Sequence, residues 1–191
     1  PLIEHFATTE NAVLELRTKS DNVDNLLELE HGGKTVVSWT FSPAETAKNV
    51  EFQTASMSER IVAARRCQKA GYPIGLRFDP IVYYPDWESG YRELVELLFE
   101  NLRPEGIRDC SLGFYRATPG LNQIVRRRFP RSKLQLGEFE QAGDGKYRYI
   151  RPLRMRMLQS IIAMLKQHAP DLKIELCMES PEVEEAVAEL L

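Results

Sequence analysis

Residues 74–80 read IGLRFDP, a short apolar segment that ends in a turn at Asp79-Pro80. The next segment spaces four leucines as a helix would, and a second apolar segment, Ile107 to Tyr115, follows it. Apolar runs of this length indicate buried strands, and the leucine spacing indicates a helix that packs against them. A strand, a helix and a strand in this order predict a parallel βαβ unit.

The same alternation continues in both directions, so that five strands are predicted in all. They are Val13–Thr18, Lys34–Phe41, Ile74–Phe78, Ile107–Tyr115 and Leu172–Met178. A complete eight-unit barrel needs about 250 residues. Five units in 191 residues therefore predict one α/β domain over residues 1–191. Its parallel sheet is either an open doubly wound sheet or an incomplete barrel.

Helix boundaries follow from capping residues. Ser42 with Pro43 and Glu45, and Ser56 with Glu59, have the spacing of capping boxes that open helices. Ser180 before Pro181 is explained in the same way. The glycine-containing segment 131–151 predicts an irregular loop.

Composition excludes several classes of protein. The chain is 43% hydrophobic with a net charge of −3, which is typical of a globular protein. No stretch of about 18 apolar residues is present, so a membrane span is not predicted. Three cysteines far apart in sequence favour a reduced, cytoplasmic protein, and Cys67 and Cys110 are expected in the core. No metal site is predicted, because the three histidines fit no ligand spacing.

In both candidate architectures the functional site lies beyond the carboxyl ends of the strands. Lys19 follows the first strand, where its ammonium group can bind a carboxylate or phosphate or remain solvated. Asp79 follows the third strand and can bind a substrate hydroxyl or cap a turn. Tyr83 and Tyr84 can stack on a base at the mouth of this site or pack in the core.

Charge is distributed unevenly along the chain. Residues 121–160 hold ten Lys or Arg and three Asp or Glu, a net charge of +7, whereas the remainder has a net charge of −10. A basic strip on an acidic protein is typical of a phosphate-binding surface. The candidate contacts with nucleic acid are Arg126, Arg127, Arg128 and Arg131, and the alternative is a solvated helix face.

Several segments together resemble the spore photoproduct lyase-like family of radical SAM proteins, in its C-terminal half. They span the whole chain in the family's order. These segments are residues 16–20 (LRTKS), 22–27 (NVDNLL), 40–42 (TFS), 70–75 (AGYPIG), 79–81 (DPI), 86–94 (DWESGYREL) and 143–147 (GDGKY).

The resemblance implies an incomplete (β/α) barrel that holds a [4Fe–4S] cluster and S-adenosylmethionine (SAM). Reductive cleavage of SAM then gives a radical that abstracts hydrogen from a substrate. The resemblance places Lys19, Thr40 and Ser42 near SAM. From their position after the third strand, Asp79, Tyr83 and Tyr84 are the candidates for the substrate side.

The sequence departs from the family's pattern in two respects. The cluster motif Cys-x-x-x-Cys-x-x-Cys is absent, and three thiolates are needed to hold such a cluster. We therefore expect the cluster ligands in a missing N-terminal half, without which this chain is inactive. Gln141-Ala142 stands where the spore lyase has Arg-Tyr, and Asp79 stands where it has a small apolar residue. We therefore expect a substrate other than the spore photoproduct, with a DNA-related one as the candidate.

Two other functions compete with this one. A non-catalytic half-barrel could bind nucleic acid or a protein partner through the basic strip. A hydrolase would use Asp79 with Glu138 or Glu179, provided that the carboxylates converge. A truncated barrel also leaves the first strand without a neighbour, so we expect either self-association or covering of that edge by residues 1–10.

Overall fold

The structure is a computed structural model, and it describes residues 2–191. The strands are β1 (Leu14–Thr18), β2 (Thr35–Thr40), β3 (Ile74–Ile81), β4 (Ile107–Phe114), β5 (Arg116–Ala117), β6 (Phe139–Gln141), β7 (Tyr147–Tyr149) and β8 (Ile174–Leu176). The helices are α1 (Leu2–Thr8), α2 (Ala44–Val50), α3 (Met57–Lys69), α4 (Trp87–Asn101), α5 (Leu121–Arg128), α6 (Arg151–His168) and α7 (Pro181–Val187). Short 3-10 turns occupy Asp24–Leu26, Pro104–Gly106 and Ala188–Leu190.

The main sheet contains the five predicted strands in sequence order, β1-β2-β3-β4-β8, and every neighbouring pair is parallel. A doubly wound sheet reverses its strand order at a switch point, whereas a barrel keeps its strands in order. The sequence left both architectures open, and this order corresponds to part of a barrel. The prediction of a parallel sheet built from alternating strands and helices is confirmed.

The two faces of the main sheet differ in chemistry. The helical face carries Trp39, Leu76 and Leu112, which belong to one buried core with residues of α3, α4 and α6. Side chains alternate along a strand, so the residues between these point the other way. That second face is polar, and we call it the concave face.

Arg77 lies across the concave face and connects three strands. Its guanidinium donates to Glu15 of β1 at 2.6 Å and also to Asp109 of β4. Gly75 makes this possible, because a Cβ atom there would lie 2.1 Å from the Ser38 hydroxyl and 2.8 Å from the guanidinium. The Arg77 side chain is only 6% exposed. We call Glu15, Arg77 and Asp109 the Arg77 cluster.

The pKa of Glu15 reflects this cluster. Burial alone would raise it, but hydrogen bonds from Arg17 and Arg77 outweigh burial and lower the pKa to about 2. The carboxylate is therefore charged at any physiological pH, and it holds β1 against the body of the sheet.

Three local expectations need correction or completion. Segment 131–151 is not an irregular loop throughout, because β6 and β7 form a hairpin that continues into the antiparallel sheet β5-β7-β6. Ser42 does not cap α2: Pro43 occupies the cap position, and no side chain caps that end. Ser180 does occupy the cap position of α7, although its hydroxyl makes no capping hydrogen bond. The capping box of Ser56 and Glu59 is confirmed.

The edge of β1 has β2 on one side, and the described residues place no strand on the other. Helix α1 packs against β2 and inserts Ile3 into the core. Self-association through the β1 edge stays a prediction.

Candidate functional site

A first charged cluster lies where β1 and β2 end. The Lys19 ammonium group donates to the Glu51 carboxylate at 2.5 Å, and the Arg60 guanidinium donates to the other oxygen of the same carboxylate. Lys19 follows β1, whereas Glu51 follows α2 and Arg60 lies in the second turn of α3. We call these three residues the Arg60 cluster.

Arg60 is fixed by further hydrogen bonds. It donates to the main-chain oxygens of Ala55 and Thr40, each at 2.9 Å, and to the Thr54 hydroxyl at 2.7 Å. Its side chain is fully buried. Such a guanidinium is a rigid fork that holds the carboxylate in one place.

The Arg60 cluster carries a net positive charge, because two cations share one carboxylate. Burial alone would raise the pKa of Glu51, but hydrogen bonds from Lys19 and Arg60 outweigh it and hold that pKa below the usual range. Of the two cations, Lys19 is reachable from solvent, with 33% of its side chain exposed. This arrangement suits an anionic group of a ligand, which Lys19 can contact while Glu51 holds its position.

Thr40 and Ser42 meet the same cluster in different ways. Thr40 ends β2 and gives its carbonyl oxygen to Arg60, and it is partly exposed. Ser42 is buried, and its hydroxyl donates to Glu51 at 3.0 Å. Ser42 therefore fixes the carboxylate that holds Lys19. Sequence reasoning singled out neither Glu51 nor Arg60, because charged residues on or just beyond a helix ordinarily face solvent.

A second cluster lies at the ends of β3, β4 and β8. Arg116 donates to Asp79 at 3.3 Å and to the Phe114 carbonyl oxygen at 3.0 Å. The Cys177 thiol donates to the other Asp79 oxygen at 3.6 Å. Gly113 lies between them, and a Cβ there would be 2.9 Å from Asp79 and 3.0 Å from Cys177.

The Asp79–Arg116–Cys177 cluster is partly open. The side chains of Asp79 and Arg116 are 24% and 20% exposed. Burial and the nearby Asp79 carboxylate raise the pKa of Cys177. The cluster thus presents a neutral thiol beside the ion pair of Asp79 and Arg116. All three groups can form hydrogen bonds with a polar ligand.

The two tyrosines have different surroundings. Tyr83 is partly exposed and its main-chain N–H donates to the Tyr149 hydroxyl at 3.1 Å. Tyr84 is in the core at 7% exposure, and its hydroxyl lies where a side chain on Gly90 would be. Burial, with Glu45 nearby, raises the pKa of Tyr84 to about 12. Of the two, Tyr83 is the one placed to meet a ligand.

The carboxylates required by the hydrolase hypothesis bind different partners. Glu179 pairs with Arg154 at 3.2 Å, and burial raises the pKa of Glu179 although Arg154 opposes the shift. Glu138 is exposed. Within residues 2–191, no hydrogen bond or shared cation connects either of them to Asp79. This geometry gives the hydrolase hypothesis no support.

The basic strip lies on and after α5, and its four arginines are exposed. Arg126 donates to Gln135 at 2.7 Å, and Arg128 lies over the Phe129 ring. No ion pair of the described residues neutralises any of the four. Each guanidinium is therefore available to a phosphate.

The described residues contain neither a metal site nor a membrane-spanning helix. No group of three or more His, Cys, Asp or Glu in residues 2–191 is placed to hold a metal ion. Cys67, Cys110 and Cys177 are all free thiols, the first two buried as expected. These residues do not fit an iron–sulfur cluster. In the same part of the chain, no helix is both long and apolar enough to span a membrane.

Comparison with known proteins decides the family. The family model described as spore photoproduct lyase matches residues 1–178. The chain belongs to the spore photoproduct lyase family. Spore photoproduct lyase of Bacillus subtilis (strain 168) is 32% identical over 181 residues, which are 91% of this chain and 53% of that protein. The family predicted from the sequence is thereby confirmed.

Two further relatives agree. The spore photoproduct lyase of Geobacillus sp. (strain Y412MC61) is also 32% identical, over 77% of this chain and 46% of its own length. A solved mutant of spore photoproduct lyase, with bound AdoMet and dinucleoside spore photoproduct, superposes with a TM-score of 0.79 at 27% identity. That superposition covers 91% of this chain and 53% of the other. The chain therefore spans about half the length of the family members it matches.

Proposed function

We propose that this chain is the SAM-binding and substrate-facing half of a radical SAM enzyme that acts on DNA, and that Lys19 binds the methionine carboxylate of SAM. The observation that carries the proposal is the Arg60 cluster: a reachable ammonium group, fixed by Glu51, at the carboxyl end of β1. The AdoMet-bound family member with the same fold supports this choice of ligand.

SAM fits the residues present at this edge of the sheet. The net positive charge suits the carboxylate of SAM, and Thr40 adds polar groups beside it. When bound and reductively cleaved, SAM supplies a carbon radical that abstracts hydrogen. Lys19 binds and orients the ligand. Glu51, which is fixed by Ser42, keeps the Lys19 ammonium group at the strand end.

The substrate side is proposed at the Asp79–Arg116–Cys177 cluster and Tyr83. Family members named for spore photoproduct, one of them solved with the dinucleoside photoproduct, support a pyrimidine lesion in DNA as the substrate. Gln141 and Asp79 differ from the family's usual residues, so we expect a related lesion or an altered preference. The exposed arginines of the basic strip would then contact the DNA backbone.

The cluster-binding cysteines are proposed in an additional segment of the intact protein, and this chain by itself is expected to be inactive. The three free thiols favour a reducing compartment such as the cytoplasm.

The test is SAM affinity in the intact protein, measured by equilibrium dialysis. Lys19→Ala should weaken binding by about tenfold to a hundredfold, because a hydrogen bond to a charged group contributes about 1.5–3 kcal/mol. Lys69→Ala is the matched control, since Lys69 is exposed in the last turn of α3. Unchanged affinity in Lys19→Ala removes Lys19 from the SAM site. Turnover of dinucleoside spore photoproduct by the wild-type protein tests the substrate separately.

A further inference from the structure

A groove runs between the end of α2 and the turn after α5. It encloses about 520 Å³, which is within the usual range of ligand pockets, about 300–1,000 Å³. Phe52, Phe129 and Pro130 line it together with Val125 and Leu134. We call it the Phe52–Phe129 groove.

The aromatic residues of this groove are unusually open to solvent. Phe52 is 68% exposed and Phe129 is 49% exposed. Neither ring therefore serves chiefly to fill the core. Two exposed phenylalanines in one concave site provide flat apolar faces on which a planar group can stack.

Basic side chains surround these rings. Lys48 and Arg131 line the groove itself, and Arg127 and Arg128 occupy the adjoining turn of α5. All four are exposed, and no ion pair of residues 2–191 occupies them. The nearest acidic side chain on α2, Glu45, is already paired with Lys133. The groove therefore combines apolar faces with unneutralised positive charge.

The position of the groove relates it to the SAM site. Phe52 directly follows Glu51, the carboxylate that holds Lys19. The groove therefore adjoins the Arg60 cluster in sequence at Phe52.

We propose that the Phe52–Phe129 groove binds a single strand of DNA next to the reacting site, with bases stacked on Phe52 and Phe129 and phosphates on Lys48 and Arg131. Aromatic faces with a basic border are the general means of binding single strands, because every base offers a stacking face. A duplex hides those faces, so the groove favours an unpaired strand. The inference rests on the proposed function in taking DNA as the nucleic acid and the Arg60 cluster as part of the reacting site.

The test is fluorescence anisotropy of a labelled oligo-dT of about 16 nucleotides, the upper end of typical footprints, without SAM. Changing both Phe52→Ala and Phe129→Ala should weaken binding at least about tenfold, since stacking contributes roughly fivefold to a hundredfold per base. The conservative pair Phe52→Tyr and Phe129→Tyr should retain affinity. Arg131→Gln should weaken binding and lower the salt slope by about one.

Controls separate stacking from general effects. Ile124→Ala and Val62→Ala remove side chains that are 52% and 45% exposed outside the groove, and both should leave affinity within about twofold. Thermal melting verifies that each variant is folded.

Unchanged affinity in the double alanine variant overturns the proposal, and so does a preference for duplex over single strand. If the double variant instead loses self-association while it binds the oligonucleotide normally, the groove is an interface between copies and the proposal is wrong. Because SAM is absent, failure of Lys19 to bind SAM leaves this measurement unaffected.

Discussion

Two buried arginines each organise a charged cluster at the main sheet, and the clusters differ in the charge that they leave available to a ligand. In the Arg77 cluster, one guanidinium meets two carboxylates, Glu15 and Asp109. In the Arg60 cluster, one carboxylate meets two cations, one of which is reachable from solvent. The first cluster is therefore satisfied internally and ties strands together. The second retains positive charge at the strand ends, where a ligand can use it.

The largest effect is expected from Arg77→Leu. The change leaves Glu15 and Asp109 without their shared cation on the sheet surface. Removing one partner of a buried ion pair costs about 3–5 kcal/mol, and the partial exposure of Glu15 places the expected loss near the lower end, about 3 kcal/mol. Urea unfolding measures it. Arg92→Ala, on an exposed pair in α4, is the control and should change stability by less than about 0.5 kcal/mol. A loss for Arg77→Leu as small as that of the control would show that the cluster does not hold the strands.

A smaller loss is expected from Arg60→Met, about 2 kcal/mol, because Lys19 still pairs with Glu51 after the change. The main-chain oxygens of Ala55 and Thr40 lose their donor, and Glu51 loses its fixed position. Unlike Arg77→Leu, this variant should also weaken SAM binding. Equal SAM affinity in Arg60→Met and wild type, both verified as folded, would contradict the positioning role of Arg60.

A pH titration sharpens the same comparison. The folded pKa of Glu15 is about 2, below its ordinary value of 4.5. Its contribution to stability is therefore complete above pH 4.5 and is lost as the pH falls from there towards 2. Glu15→Gln should be less stable than wild type at neutral pH, and the difference should shrink across this window. A difference that stays constant down to pH values near 2 would exclude the Arg77 contact as its source.

The five strands and their parallel pairing could be predicted because each strand carries a continuous apolar run and each helix its own periodicity, whereas the order of the strands in the sheet came from the structure. Parallel strands present their carboxyl ends at one edge of the sheet in both candidate architectures, which is why Lys19, Thr40 and Asp79, at the ends of β1, β2 and β3, were singled out. The end of each strand can be read from the point where its apolar run stops. This part of the site could therefore be predicted without knowing which distant residues are in contact.

The rest of the site depends on contacts that no local pattern encodes. Glu51 and Arg60 lie on or beside helices, and only the packing of α3 beneath β2 buries them. Ser42 has the sequence of a helix cap, yet its hydroxyl is drawn to Glu51 instead. Arg77 lies within an apolar strand, and Gly75 was the available sign that a long side chain crosses the sheet there.

The hairpin of β6 and β7 did have a local signal. Asp144-Gly145 is a favoured turn, and the aromatic residues Phe139, Tyr147 and Tyr149 flank it with the alternation of strands. Both strands have only three residues, and glycines lie close to them in the sequence. The glycines therefore led to the prediction of an irregular loop for this segment.

Decarboxylated SAM tests the central claim most directly, because it lacks only the group that Lys19 is proposed to bind. Equilibrium dialysis of cluster-free intact protein compares SAM with this analogue in wild type and in Lys19→Met. Wild type should prefer SAM by about tenfold or more, as expected for a charged hydrogen bond, and Lys19→Met should bind both equally. A preference for SAM that persists undiminished in Lys19→Met would contradict the assignment of the Arg60 cluster as the carboxylate site.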